Sequence, residues 1–224
     1  SIIEARTRCE NIPQHAVREY PPARSARMSK MPSVASSVER VPRSRIRELA
    51  EIAMTMDGVL RLYFGESNLP TPEYIKQAAR RALAEGYTFY TENAGLPSLR
   101  RALAGNYQRL QGVDLDPASE IVVTASGVQA LNLGVRCVLN PGDEAIVLTP
   151  AWPNGSSCIM MANATVRHVP HPLCGERYRV DFDALEAAVT PRTRLLLYTS
   201  PSNRRGWLAT DEEQQALRDF ARRH

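Results

Sequence analysis

Apolar positions recur along this chain with two rhythms. Up to about residue 112 the spacing is the three-and-four of amphipathic helices. Ile46, Leu49, Ile52, Ala53 and Met56 predict a helix over 43–56 that packs on the body. Pro72 opens a second, in which Ile75, Ala78, Ala79, Ala82 and Leu83 share a face and Gly86 stands where a helix would stop. A third follows Pro97, with Leu99, Leu103, Tyr107 and Leu110 on one side before Gly112. After Pro117 the rhythm becomes strand, helix, strand. Residues 121–124, 145–149, 165–169 and 195–199 read as strands, and 127–139, 152–163 and 181–189 as helices between them. Short continuous apolar runs separated by helices predict a mainly parallel sheet covered on both faces. Thr210-Asp211-Glu212-Glu213 has the form of a capping box and opens a last helix with Leu217, Phe220 and Ala221 as its stripe.

Residues 1–40 fall outside both rhythms. They are rich in Pro, Ser and Arg and predict a disordered basic arm, followed by a helical segment over 41–60 and one α/β body over 61–224. Glu4, Glu10 and Glu19 argue against a mitochondrial leader. The net charge of +4 is concentrated in the first 47 residues, so it gives no nucleic-acid surface to the body, and the single aromatic ring there, Tyr20, makes no interleaved basic-aromatic pattern. With 43% hydrophobic and 23% charged residues among 224, the composition is that of a globular protein, and no apolar run is long enough to span a membrane. Cys9, Cys137, Cys158 and Cys174 are widely separated, which points to a reducing, cytoplasmic setting without a disulfide framework or metal knuckle. His168 and His171 are three apart, at and just beyond a predicted strand; strand positions three apart face opposite ways, and no carboxylate or Cys cluster joins them into a metal site. The sequons at Asn154 and Asn163 have no signal peptide to give them meaning.

The chemistry is concentrated in Thr124-Ala125-Ser126-Gly127-Val128-Gln129, where a β-branched run ends in small residues and a helix begins. The first N–H groups of such a helix lack partners, and together with the helix dipole they favour an anion. Further motifs accompany it in order. They are Gly65-Glu66-Ser67-Asn68-Leu69-Pro70-Thr71-Pro72, Tyr90-Thr91-Glu92-Asn93-Ala94-Gly95, Asn140-Pro141-Gly142-Asp143-Glu144, Pro150-Ala151-Trp152-Pro153-Asn154 and Pro201-Ser202-Asn203.

From about Arg61 onward this set resembles the class I/II aminotransferases, pyridoxal-phosphate enzymes of fold type I. The resemblance implies part of a three-layer α/β/α large domain, incomplete at the C-terminus. It also implies pyridoxal 5'-phosphate as cofactor, amino acid and 2-oxo acid as substrates, and a homodimer, with no nucleic acid or membrane involved. Ser126, Gly127 and Val128 match the phosphate cradle, Val128 standing where some relatives have a hydroxyl or amine side chain. Trp152 matches the aromatic that stacks on the pyridine ring, and Asn203 the amide donor to its 3-oxygen. Tyr90 matches the tyrosine that reaches the partner's cofactor phosphate, and Gly65 the glycine beside the substrate α-carboxylate. The chain departs from the family pattern at Ser67-Asn68, in place of Pro-Asp, and at Arg204-Arg205, in place of Pro-Thr.

The family's Schiff-base lysine has no counterpart among these motifs. The lysines are Lys30, in the basic arm, and Lys76, on the second helix, and arginine stays protonated and cannot substitute. No catalytic residue is therefore assigned. The expectation is an N-terminal portion of an aminotransferase, inactive alone. A carbon–sulfur lyase or a cyclopropane-forming synthase shares the same motifs, and a non-catalytic binding protein is the rival from another class.

Overall fold

The computed structural model describes residues 33–60, 62–65, 67–203 and 206–224. The predicted arm over 1–40 lies mostly outside the described residues; near its end Ser36–Glu39 forms a one-turn helix, α1, against α6 (Pro153–Met161). The helices anticipated in the first half are α2 (Arg45–Met54), α3 (Glu73–Ala84) and α4 (Pro97–Gln111). Ser44 caps α2 by accepting from the Arg47 N–H at 3.3 Å, and Gly112 ends α4 at φ 66°. Their apolar stripes are less covered than expected. Ala50 is the buried residue of α2, and neither α3 nor α4 has one.

The second half is a parallel α/β unit. Around the central strand β1 (Glu144–Thr149) lie β2 (Thr165–Pro170) on one side and β5 (Thr193–Leu197) on the other, all parallel. The register runs from Glu144 opposite Thr165 to Thr149 opposite Pro170, and from Ala145 opposite Leu195 to Val147 opposite Leu197. Successive β1 side chains serve opposite layers. Ala145 and Val147 pack with Val135, Cys158 and Ile159 from α5 (Gly127–Val138) and α6. Ile146 and Leu148 pack with Leu185, Leu217 and Phe220 from α7 (Phe182–Ala188) and α8 (Asp211–Arg223). Helices therefore cover both faces, the three-layer α/β/α order that the apolar runs predicted. Gly155 lets α6 approach the sheet: a Cβ there would stand 2.7 Å from Leu197 Cδ2.

Two elements differ from the sequence reading. Residues 121–124 are not a strand. The contact their backbone makes is the Val123 N–H donating to Ala94 O at 2.9 Å, and no described strand runs alongside to exchange ladder bonds. A small antiparallel pair, β3 (Leu173–Cys174) with β4 (Arg177–Tyr178), was not anticipated; Gly175 supplies the positive φ (63°) that its two-residue turn needs.

Polar groups close the amino-terminal edge of the sheet. Glu144, only 1% exposed, is held by Arg167, by Arg192 Nη2 at 2.5 Å and by the Thr190 hydroxyl at 2.9 Å. The Arg167 guanidinium above all, helped by the bonds from Arg192 and Thr190, outweighs desolvation and holds the Glu144 carboxyl at about 2. Of the two histidines on and after β2, His168 is exposed and pairs with Ser156 Oγ at 3.1 Å, whereas His171 is buried 4.4 Å from the Trp207 ring. Among the described residues no His, Cys, Asp and Glu side chains cluster to hold a metal, and no helix is long and apolar enough to cross a membrane.

Candidate active site

The order β2-β1-β5 puts a crossover to each side of β1, so the chain leaves β1 and β5 in diverging directions at their carboxyl ends. Crevices at such a switch point are where parallel α/β sheets bind ligands. Pro150-Ala151-Trp152 follows β1 there, and Ser202-Asn203 follows β5. Trp152 is the residue before α6, with Pro153 at the first helical position, and its side chain remains 38% exposed. The Asn203 turn is held from behind. Ser202 N–H donates to Trp207 O at 2.7 Å, Gly206 N–H to Ser202 O at 3.0 Å, and Ala209 N–H to Ser200 Oγ at 2.9 Å.

Trp152 and Asn203 border a cavity of about 610 Å³ together with Gly65, Phe64, Ser44 and Arg47. Its size suits a small cofactor with a substrate. A second cavity, about 590 Å³, adjoins it through Ser44, Ile46, Pro153 and Asn154 and is bordered by Val128, Cys158 and Met161. Burial pushes the Cys158 thiol up, which makes it a packing residue rather than a nucleophile.

The turn before α5 has the form expected of a cradle. Ser126 is the N-cap, its hydroxyl accepting from Gln129 N–H at 3.2 Å, while Gln129 Oε1 accepts from Ala125 N–H at 2.7 Å and Thr124 Oγ1 donates to Ser126 O at 2.9 Å. These bonds fix the turn and leave the Gly127 and Val128 N–H groups without a protein acceptor among the described residues. Open space surrounds the position where a Gly127 Cβ would stand. The Ser126 hydroxyl is engaged in the cap, so what the turn offers an anion is backbone.

The predicted site residues thus divide. Gly65, Trp152 and Asn203 meet at one cavity, and Val128 lines its neighbour. Ser126, Gly127 and Tyr90 border neither, and Tyr90 is fully exposed. Sequence reasoning did not find Arg47 and Phe64. The Arg47 guanidinium carbon lies 5.1 Å from the Phe64 ring centroid, at the cavity wall. The signal existed in the basic run Arg43-Ser44-Arg45-Ile46-Arg47, which reads as the solvated side of a helix until the 62–65 segment is seen to fold over it.

Tested against pyridoxal phosphate, the residues fit in part. Two unpartnered helix N–H groups suit a phosphate, a half-open indole at the cavity suits a flat ring, and an amide beside it suits a ring oxygen. The amine is the misfit. Lys76, the described lysine, is ion-paired with Glu73 at 2.7 Å on α3 and does not border either cavity; Lys30 lies outside the described residues.

Residues 58–224 match the model for aminotransferase class I and II. Aromatic-amino-acid aminotransferase 2 of Thermococcus litoralis is 32% identical over 192 residues, covering 86% of this chain and 49% of that protein. The aspartate/prephenate aminotransferase of Thermus thermophilus is 40% identical over 166 residues, covering 74% and 43%. A solved mutant of Thermus thermophilus aspartate aminotransferase superposes with a TM-score of 0.79 at 36% identity, covering 87% of this chain and 51% of that one. The chain spans about half the length of the curated relatives it matches. With the motifs, the parallel three-layer fold and the matched model in agreement, the chain belongs to the class I and II aminotransferases.

Proposed function

We propose that this chain contributes the cofactor cradle of a pyridoxal-phosphate aminotransferase, which moves an amino group from an amino acid to a 2-oxo acid. The observation that carries the reading is the convergence of Gly65, Trp152 and Asn203, from three separate segments, on one cavity at the carboxyl edge of the parallel sheet. When bound, the cofactor supplies an electron sink for the pair released as a bond at the amino acid's α-carbon breaks. Gly127 and Val128 N–H groups hold its phosphate, the Trp152 face fixes the ring plane, and the Asn203 amide orients the ring through its 3-oxygen. Gly65 keeps the wall clear for the substrate carboxylate, having no Cβ to obstruct it. Tyr90 is exposed and does not line its own chain's cavity, which accords with a role toward a second copy in a homodimer.

The placement of Lys76 favours a second reading, in which the chain binds the cofactor without turning it over. Titration with pyridoxal phosphate, followed by tryptophan quenching and visible absorbance, tests both. Saturable uptake that weakens about tenfold in Trp152→Ala supports the cradle; uptake indifferent to Trp152 and Asn203 substitutions overturns it. Borohydride reduction should fix no adduct on Lys76, and a stoichiometric adduct there would remove the binding-only reading.

A further inference from the structure

Among the described residues bordering the larger cavity, Arg47 is the one charged side chain. Its neighbour Arg45 is paired with Glu48 at 3.3 Å, whereas no described acidic residue pairs with Arg47. The Arg47 guanidinium lies over the Phe64 ring. A cation–π contact of that kind positions the charge and leaves the five N–H donors of the guanidinium unspent. Phe64 directly precedes Gly65, so Arg47 stands beside the part of the wall already assigned to a substrate carboxylate, with Trp152 and Asn203 on the same cavity. A planar fork of donors in a cavity whose other described lining residues are neutral selects a planar anion of matching geometry.

We infer that Arg47 is a carboxylate-binding, specificity-determining residue, which admits substrates by pairing bidentately with a carboxylate of the amino or oxo acid. The inference rests on the aminotransferase reading. It assigns to α2 a task beyond packing, since the first turn of that helix, capped by Ser44, carries the guanidinium to the cavity. Two carboxylates could supply the anion: the one every substrate bears, or a second one at the far end of a dicarboxylic acid.

The test uses the full chain loaded with pyridoxal phosphate, titrated calorimetrically with succinate and with butyrate, in the wild type, Arg47→Met and Arg47→Lys. Arg47→Met should weaken succinate by roughly ten- to a hundredfold, the loss of a hydrogen-bonded charge partner, and Arg47→Lys should recover part of it. A loss confined to succinate assigns Arg47 to the far carboxylate; an equal loss for butyrate assigns it to the carboxylate that all substrates share. Helical circular dichroism and cofactor affinity should be unchanged in both variants. Wild-type binding of both acids in Arg47→Met, or a cofactor-loaded wild type that binds neither, overturns the inference while cofactor uptake still stands. Failure of the wild type to take up cofactor, read before any acid is added, overturns the aminotransferase reading itself and this inference with it.

Discussion

At Gly95 the backbone takes φ +94°, and a Cβ built there would stand 2.6 Å from Val123 Cβ, the rigid stem of a branched side chain. The same approach allows the Val123 N–H to reach Ala94 O. Glycine is required on both counts, and it ties the Tyr90–Gly95 segment to the residues that lead into the Ser126 cap. Gly95→Ala should therefore cost about 2–4 kcal/mol, from left-handed strain plus overpacking. Gly134→Ala, in the middle of α5 with open space around it, should instead stabilise by up to about 1 kcal/mol. Urea midpoints that moved the same way for both would show the 94–123 contact to be wrong. Glu144 makes a prediction about pH. Its carboxyl is held at about 2 against an ordinary 4.5, so the folded state binds the proton less readily than the unfolded one. The stability it contributes is complete above about 4.5 and is lost as pH falls through about 2. Glu144→Gln should be less stable at pH 7, and its urea midpoint should decline less than the wild type's between pH 4.5 and 2. Parallel declines would mean that other carboxylates govern the acid transition.

At the scale of elements, α8 was the most legible from sequence, because its start is written in side chains. Thr210 Oγ1 accepts from Glu213 N–H at 3.1 Å, and Glu213 Oε2 accepts from Thr210 N–H at 3.0 Å. Thr210→Ala should cost about 1 kcal/mol, whereas Thr210→Ser should cost much less. Leu217→Ala, which empties a fully buried position facing β1, should cost about 2–5 kcal/mol. If thermal melts ranked Thr210→Ala above Leu217→Ala in cost, propensity rather than packing would hold the helix. Strands were legible only as far as an apolar run implies pairing. β1 and β2 came out within a residue of their expected bounds, but β5 ends at Leu197 instead of 199 because its last partner on β1 is Val147. Ile121-Val122-Val123 has strand composition without a neighbouring strand among the described residues, and composition does not reveal neighbours. The β3–β4 pair is too short to produce any alternation. The candidate site was legible through motif order, which brought Gly65, Trp152 and Asn203 forward although 138 positions separate the first from the last. Arg47 was not, since helical periodicity describes the face a helix buries and is silent about what folds over its other side.

For the whole molecule, the two halves differ in how their apolar surface is used. The sheet unit buries its own on both faces, whereas α3, α4 and the segment between them leave Tyr74, Leu83, Tyr87, Phe89, Tyr90 and Leu110 exposed. Apolar surface concentrated in one stretch of chain favours association, and the family resemblance names a second copy as the partner through Tyr90. Sedimentation velocity should then show concentration-dependent self-association. Phe89→Asp should weaken it by about ten- to a hundredfold, since a ring of that size contributes about 1.5–3 kcal/mol when it leaves water. The urea midpoint of the variant should stay close to wild type, because Phe89 makes no buried contact to lose. Tyr90→Phe separates assembly from function: it should associate like the wild type yet bind pyridoxal phosphate roughly three- to tenfold more weakly, having lost one hydroxyl to the partner's phosphate. The opposite pattern, a chain that stays monomeric at every concentration, binds no hydrophobic dye and is indifferent to Tyr90→Phe, would sink the homodimer and leave Tyr90 an ordinary surface aromatic.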